Sequence, residues 1–180
     1  MAVTINGSAG VTTNTGAVYD SIQRATAQAS TSGTSIDFTS IPNWVRRITV
    51  MFNGVSTTLG TSAPIIQLGD SGGVENTSYI STAIGIQTST AVAANSTVGF
   101  LVVTPTMYAA SSTISGSVSI TNLSTNLWVV AGALSRENGS STGFSTAGSK
   151  SLSDTLDRIR ITTILGVDTF DAGTINILYE

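Results

Sequence analysis

Val45-Arg46-Arg47-Ile48-Thr49-Val50-Met51-Phe52-Asn53-Gly54 is the stretch whose reading decides the fold. Ile48, Val50 and Phe52 share one side of a period of two, with Arg47, Thr49 and Met51 on the other. That is the pattern of a strand with one face against a core. Asn53-Gly54 reads as the turn that ends it. The same kind of segment recurs on either side. Residues 35–41 alternate Ile36 and Phe38 with polar neighbours, and residues 63–68 follow the turn. Residues 79–88 place Ile80, Ile84 and Ile86 on one face, and residues 114–121 set Val118 and Ile120 against serines. Residues 158–165 alternate Ile159 and Ile161, and residues 174–179 alternate Ile175, Ile177 and Tyr179. Residues 98–103 and 127–134 are apolar on both faces, as strands covered on both sides are. This predicts about eight to ten strands with no long helical pattern between them, which excludes parallel crossover units. The expected fold is all-β: an antiparallel β-sandwich, jelly-roll-like.

Residues 1–34 have a different composition. Residues 2–6 can form a short strand, and residues 7–16 are Gly, Ser, Thr and Asn with little else. Val18, Ile22, Ala25 and Ala29 then fall at spacings of 4, 3 and 4, which allows one short helix over residues 17–29. The chain divides accordingly into an N-terminal arm, 1–34, and a sandwich domain, 35–180.

Composition excludes much chemistry. Charged residues make up 9% of the 180, against about 25% in an ordinary soluble domain. Their place is taken by 26 Ser and 29 Thr, and Lys150 is the one lysine. With no His and no Cys, Ser-His-Asp and Cys-His triads are ruled out, as are His/Cys zinc, haem and iron–sulfur sites. A net charge of −3 without a basic cluster argues against tracking a nucleic-acid backbone. The longest apolar run, 127–134, falls far short of the ~20 residues that span a bilayer. No cofactor, metal, nucleic acid or membrane insertion is expected.

Four motifs carry possible chemistry. Gly139-Ser140-Ser141-Thr142-Gly143 fits the G-x-S-x-G elbow, but no histidine exists to take the serine proton, so it reads as a loop. Asp154 with Asp157, and Asp168 with Asp171, are spaced three apart; near strand ends such aspartates cap turns. Asp70-Ser71-Gly72-Gly73-Val74-Glu75 has oxygen ligands and glycines, yet lacks the alternating ligands of a calcium loop, and reads as a surface turn. Arg46, Arg47, Arg158 and Arg160 are expected to pair with Asp37, Asp154 or Asp157. Trp44 and Trp128 adjoin apolar runs and are expected in the core or at a subunit contact.

Two long phrases carry a resemblance. Ile36-Asp37-Phe38-Thr39-Ser40-Ile41-Pro42-Asn43-Trp44-Val45-Arg46-Arg47-Ile48-Thr49-Val50-Met51-Phe52-Asn53-Gly54-Val55-Ser56 resembles a β-rich module of tail-fibre and other virion proteins of bacteriophages. Phe170-Asp171-Ala172-Gly173-Thr174-Ile175-Asn176-Ile177-Leu178-Tyr179-Glu180 resembles the C-terminus of that module. The resemblance implies a non-enzymatic, trimeric module on a virus particle and brings no catalytic or binding residues with it. In fibres the module ends a longer chain with a shaft. The stretch ahead of it here suits an arm instead. The expectation is a homotrimeric capsid decoration (cement) protein on the particle surface. Its partners are itself and the major capsid protein or other virion proteins, with Val3, Ile5, Val18, Tyr19 and Ile22 as arm anchors. The alternative is a receptor-binding module of a tail or head fibre, contacting host surface glycans through exposed loops at Asp70, Glu75, Asn76, Asn138 and Ser140.

Overall fold

The computed structural model describes residues 3–6, 10–13, 18–19, 22–60, 62–110, 112–137 and 141–180, the first three segments by backbone alone. The N-terminal strands are β1 (Val3–Asn6), β2 (Gly10–Thr13) and β3 (Val18–Tyr19), which form a small antiparallel sheet in that order. Next come β4 (Gln23–Arg24), β5 (Gln28–Ala29), β6 (Ile36–Phe38), β7 (Arg47–Thr57), β8 (Pro64–Asp70) and β9 (Gly73–Val74). Then follow β10 (Ile80–Gln87), β11 (Thr90–Ser96) and β12 (Phe100–Leu101), with a 3-10 turn at Pro105–Met107. The chain ends with β13 (Thr113–Ser124), β14 (Leu127–Glu137), β15 (Thr142–Ser151), β16 (Arg158–Thr163) and β17 (Phe170–Tyr179).

Two antiparallel sheets make the sandwich. The larger runs β11-β10-β15-β14-β13-β7-β17-β4, with β5 also on β17; the smaller runs β12-β8-β16-β6, with β9 on β8. The outer wrap is jelly-roll-like. β7 pairs with β17 in one sheet while their chain neighbours β8 and β16 pair in the other, so one two-stranded ribbon crosses between sheets. Between them lie Ile48, Val50, Phe52, Val118, Ile120, Ile175 and Ile177 from the large sheet and Ile36, Phe38, Ile66, Leu68, Ile159 and Ile161 from the small one, all buried. The alternation that predicted β7 thus points its apolar face inward, as the period of two requires.

Several local expectations differ from what forms. Among the described residues of 17–29 there is no helix: β4 and β5 pair with β17, and Ala25 N–H donates to Ile177 O and Ser30 N–H to Gly173 O, each at 3.0 Å. Three turns of isolated helix are marginal in water, whereas the outer edge of β17 offers a row of open backbone groups. Asn53-Gly54 is no turn but a bulge inside β7. Gly54 has φ +64, and the partner registers shift beside it on both β13 and β17. Glycines on those strands accommodate the bend, since a Cβ on Gly173 would sit 2.5 Å from Gly54 O. Residues 100–103 are fully buried as expected, but as the edge strand β12 and the crossing after it, not as a central strand. Residues 127–134 bury Trp128, Val130 and Leu134 and turn Ala131 and Ala133 out to solvent. Thr142 and Gly143, read as the end of a loop, instead open β15.

Candidate functional site

The most informative strand is β10. Ile80, Ile84 and Ile86 do share a face, and it is the outer one: they are 71%, 43% and 61% exposed, while Ser81, Ala83 and Gly85 point inward. The reason lies beneath the strand. The apolar crossing 100–107 fills the interior there, and Ser81 Oγ accepts a bond from Leu101 N–H at 2.9 Å. A Cβ on Gly85 would lie 2.6 Å from Met107 Sδ and 2.8 Å from both the Phe144 ring and Thr104 Oγ1. Only small residues fit inward, so the isoleucines face out.

The surface around them is largely uncharged, with Glu137 exposed at the end of β14. Register places Ala91, Ala93 and Asn95 of β11 beside the isoleucines on one flank, and Gly143, Ser145, Ala147 and Ser149 of β15 on the other. Val129, Ala131, Ala133 and Ser135 of β14 follow, then Ser117, Ser119 and Thr121 of β13. Five strands about 4.8 Å apart, each spanning about seven residues at ~3.3 Å and showing every second one, make a face of roughly 550 Å². Its composition is Ile, Val, Ala, Ser, Thr, Gly and one Asn, with Glu137 at the end of β14. The sheet also ends on an open edge there. β11 is seven residues long and contains no Lys, no Pro and no charge, the features by which proteins usually blunt an edge. The edge strands of the smaller sheet, β12 and β6, have two and three residues.

The residues expected at exposed loops are placed differently. Asp70 is buried: Ser153 Oγ donates to it at 2.7 Å and Gly72 N–H at 2.8 Å, and these bonds hold its carboxyl below the usual carboxylate range. Glu75 is half-buried, accepts Ser153 N–H and Oγ at 2.7 and 2.9 Å, and lies 2.5 Å from the buried Lys150 ammonium. Burial works to raise its pKa, and the lysine and serine contacts outweigh it, leaving the value lowered. Both carboxylates are thus spent on tying the β8–β9 hairpin to the segment after β15. Asn76 is exposed. Asn138 and Ser140 lie outside the described residues.

Of the arm anchors, Ile22 is 58% exposed; Val3 and Ile5 lie in β1 and Val18 and Tyr19 in β3, with their side chains outside the description. Arg158 and Arg160 pair with aspartates as expected, whereas Arg47 pairs with Glu180 and Arg46 donates to the backbone oxygens of Asn43 and Val45. Arg160 clamps Asp37 through two bonds of 2.8 and 2.7 Å, and Arg158 does the same to Asp157. Asp154 Oδ1 accepts Thr155 N–H, and the buried Asp168 accepts Ser62 N–H at 3.2 Å. Trp128 is in the core; Trp44 is 41% exposed and stands 6.0 Å from the Tyr179 ring. Sequence reading found the isoleucine face but not its direction, and gave no signal for the Lys150–Glu75–Ser153–Asp70 chain, whose two halves, Asp70 with Glu75 and Lys150 with Ser153, lie far apart along the sequence. Comparison of the chain with protein-family models, with curated proteins and with solved structures finds no match.

Proposed function

We propose that this chain is a non-enzymatic structural protein of a virus particle surface, acting as a homotrimeric capsid decoration protein seated by its N-terminal segment. The observation that supports the assembly part of this reading is the outer face of β11, β10 and β15, which carries no charge and turns three isoleucines into solvent. Exposing them costs the monomer burial worth about 1.5–3 kcal/mol each, a loss that association recovers. The face is of the order of the about 800 Å² that each partner buries in a stable interface. With Glu137 at one end as its charged residue, little hydration or side-chain entropy is given up on contact. The placement on a phage particle comes from the resemblance of residues 36–56 and 170–180. The mechanism is mechanical: many copies of a trimer bridge neighbouring capsomers and add buried area to the shell.

Sedimentation velocity tests this directly. The full chain is expected to run as a trimer, and Ile80→Thr/Ile84→Thr/Ile86→Thr as a folded monomer with an unchanged β-type circular dichroism spectrum. A wild-type chain that stays monomeric at concentrations of about 10 μM, well above the Kd of a stable assembly, overturns the reading. A chain lacking residues 1–21 leaves the strap on β17 intact and is expected to trimerise without co-sedimenting with particles. Retained co-sedimentation overturns the seating role.

A further inference from the structure

The edges of the two sheets are closed in different ways. On the large sheet, β4 and β5 pair onto the outer side of β17, so the chain covers that edge with its own strap. The smaller sheet ends on β12 and β6, of two and three residues. The seven-residue β11 is left, paired with β10 and with no other strand among the described residues. Its hairpin fixes which backbone groups are free. Gln87 faces Thr90 across the turn Thr88-Ser89, with Thr88 at φ +42, so the turn bond joins those two residues. Opposed residues in an antiparallel pair alternate between bonded and non-bonded. Thr90, Val92, Ala94 and Ser96 therefore bond to β10, and the N–H and C=O groups of Ala91, Ala93 and Asn95 point outward in the plane of the sheet.

That row is complementary to itself. Turned about a two-fold axis at Ala93, a second β11 sets Ala93 against Ala93 and each Ala91 against Asn95, and every such residue pair exchanges both N–H···O bonds. A slip of two residues leaves one outward residue of each strand unpaired. The side chains permit the approach. Thr90–Ser96 holds no charge, so no like charges oppose one another, and the residues that meet on the outer side are Ala and Asn. On the inner side Val92 and Ala94, half-buried against the core, each meet the other's copy, which carries the apolar layer across the junction. We propose that β11 pairs antiparallel with β11 of a second copy of this chain, joining the two large sheets into one. The contact is separate from the isoleucine face, because side chains stand perpendicular to the sheet while the edge groups lie in its plane. Resting on the proposed function, the pairs join neighbouring trimers in a shell, where many weak contacts add up.

Engineered cysteines test it, because the chain has none of its own. They are placed in the full chain carrying Ile80→Thr/Ile84→Thr/Ile86→Thr, which removes the face contact and lets the edge report alone. In the proposed register two residues 93 stand with Cα atoms about 5.5 Å apart, within reach of a disulfide, whereas two residues 91 are more than about 13 Å apart and out of reach. In a glutathione buffer, Ala93→Cys is expected to form linked pairs of chains roughly tenfold faster than Ala91→Cys. A few backbone bonds make a weak contact, with a Kd on the order of 0.1 mM, so the isoleucine variant runs as a monomer near about 10 μM and as a dimer at about 1 mM. Ala93→Pro removes an outward N–H that the folded monomer does not use, and is expected to abolish that dimer. Equal linking at 91 and 93, a chain monomeric at about 1 mM, or a dimer that persists in Ala93→Pro overturns the pairing. A wild-type trimer without edge-linked pairs overturns the pairing alone; edge-linked pairs in a wild-type chain that forms no trimer overturn the trimer reading alone.

Discussion

Lys150 is the one lysine of the chain, and it is buried, with its ammonium 2.5 Å from Glu75 and 5.2 Å from the centre of the Tyr79 ring. Removing one partner of such a pair strands a charge in a low dielectric, which costs about 3–5 kcal/mol, whereas replacing both by apolar groups is often neutral. Glu75→Gln is therefore expected to lower unfolding stability by that amount in urea titrations, and Glu75→Gln with Lys150→Met to recover most of it. Equal losses in the single and double variants would show that the pair holds nothing together. The pH dependence follows from the same cluster. Asp70 and Glu75 titrate below their unfolded values of 3.8 and 4.5, so in acid the unfolded chain binds more protons than the folded one. Their contribution is present in full above about pH 5 and is lost as the pH falls through the folded values. With no histidine, the urea midpoint is expected to stay flat between about pH 5 and 8. Asp70→Asn is expected to shrink the acid fall.

Among the elements, β10 shows that a strand can be recognised without its orientation being known. Overpacking at Gly85 costs typically about 1–3 kcal/mol, and a surface change such as Ile84→Thr stays within about 0.5 kcal/mol. Gly85→Leu is accordingly expected to destabilise the monomer more than Ile84→Thr, the reverse of what hydrophobicity along the strand suggests; denaturation below the association concentration measures both. β7 and β17 were legible because they alternate Ile48, Val50 and Phe52, or Ile175 and Ile177, against polar residues, and one covered face suffices to explain them. The face of β10 was not legible, because what fills the space beneath it is a crossing segment, Phe100 to Met107, and no local period reports a distant neighbour. β15 escaped notice for a related reason. Its inward residues Thr142, Phe144, Thr146 and Lys150 include one large apolar side chain, and its place in the sheet comes from pairing with β10 and β14. Trp128, expected in the core or at a subunit contact, is in the core, whereas Arg46, expected in an ion pair, donates to the backbone oxygens of Asn43 and Val45, a local bond that no sequence pattern signals.

At the scale of the molecule, charge is confined to particular places. Arg158 and Arg160 are engaged on the small sheet, Lys150 is buried, and Arg47 with Glu180 stands at the far side of the large sheet from β11. Glu137 is exposed at the end of β14, two strands from β10, so an assembly centred on β10 and β11 contains no ion pairs for salt to screen, and burial of apolar surface is its driving term. Raising salt from about 0.05 to about 1 M is expected to leave the sedimenting trimer intact. The thermal midpoint is expected to rise with protein concentration, because association stabilises only the folded chain. A single charge placed in the middle, Ala93→Lys, has to be desolvated in every contact it enters, and should dissociate the assembly while leaving the monomer folded. A complex that falls apart in high salt and tolerates Ala93→Lys would instead be held at the Arg47–Glu180 side, and the outward isoleucines would then face something other than a copy of this chain.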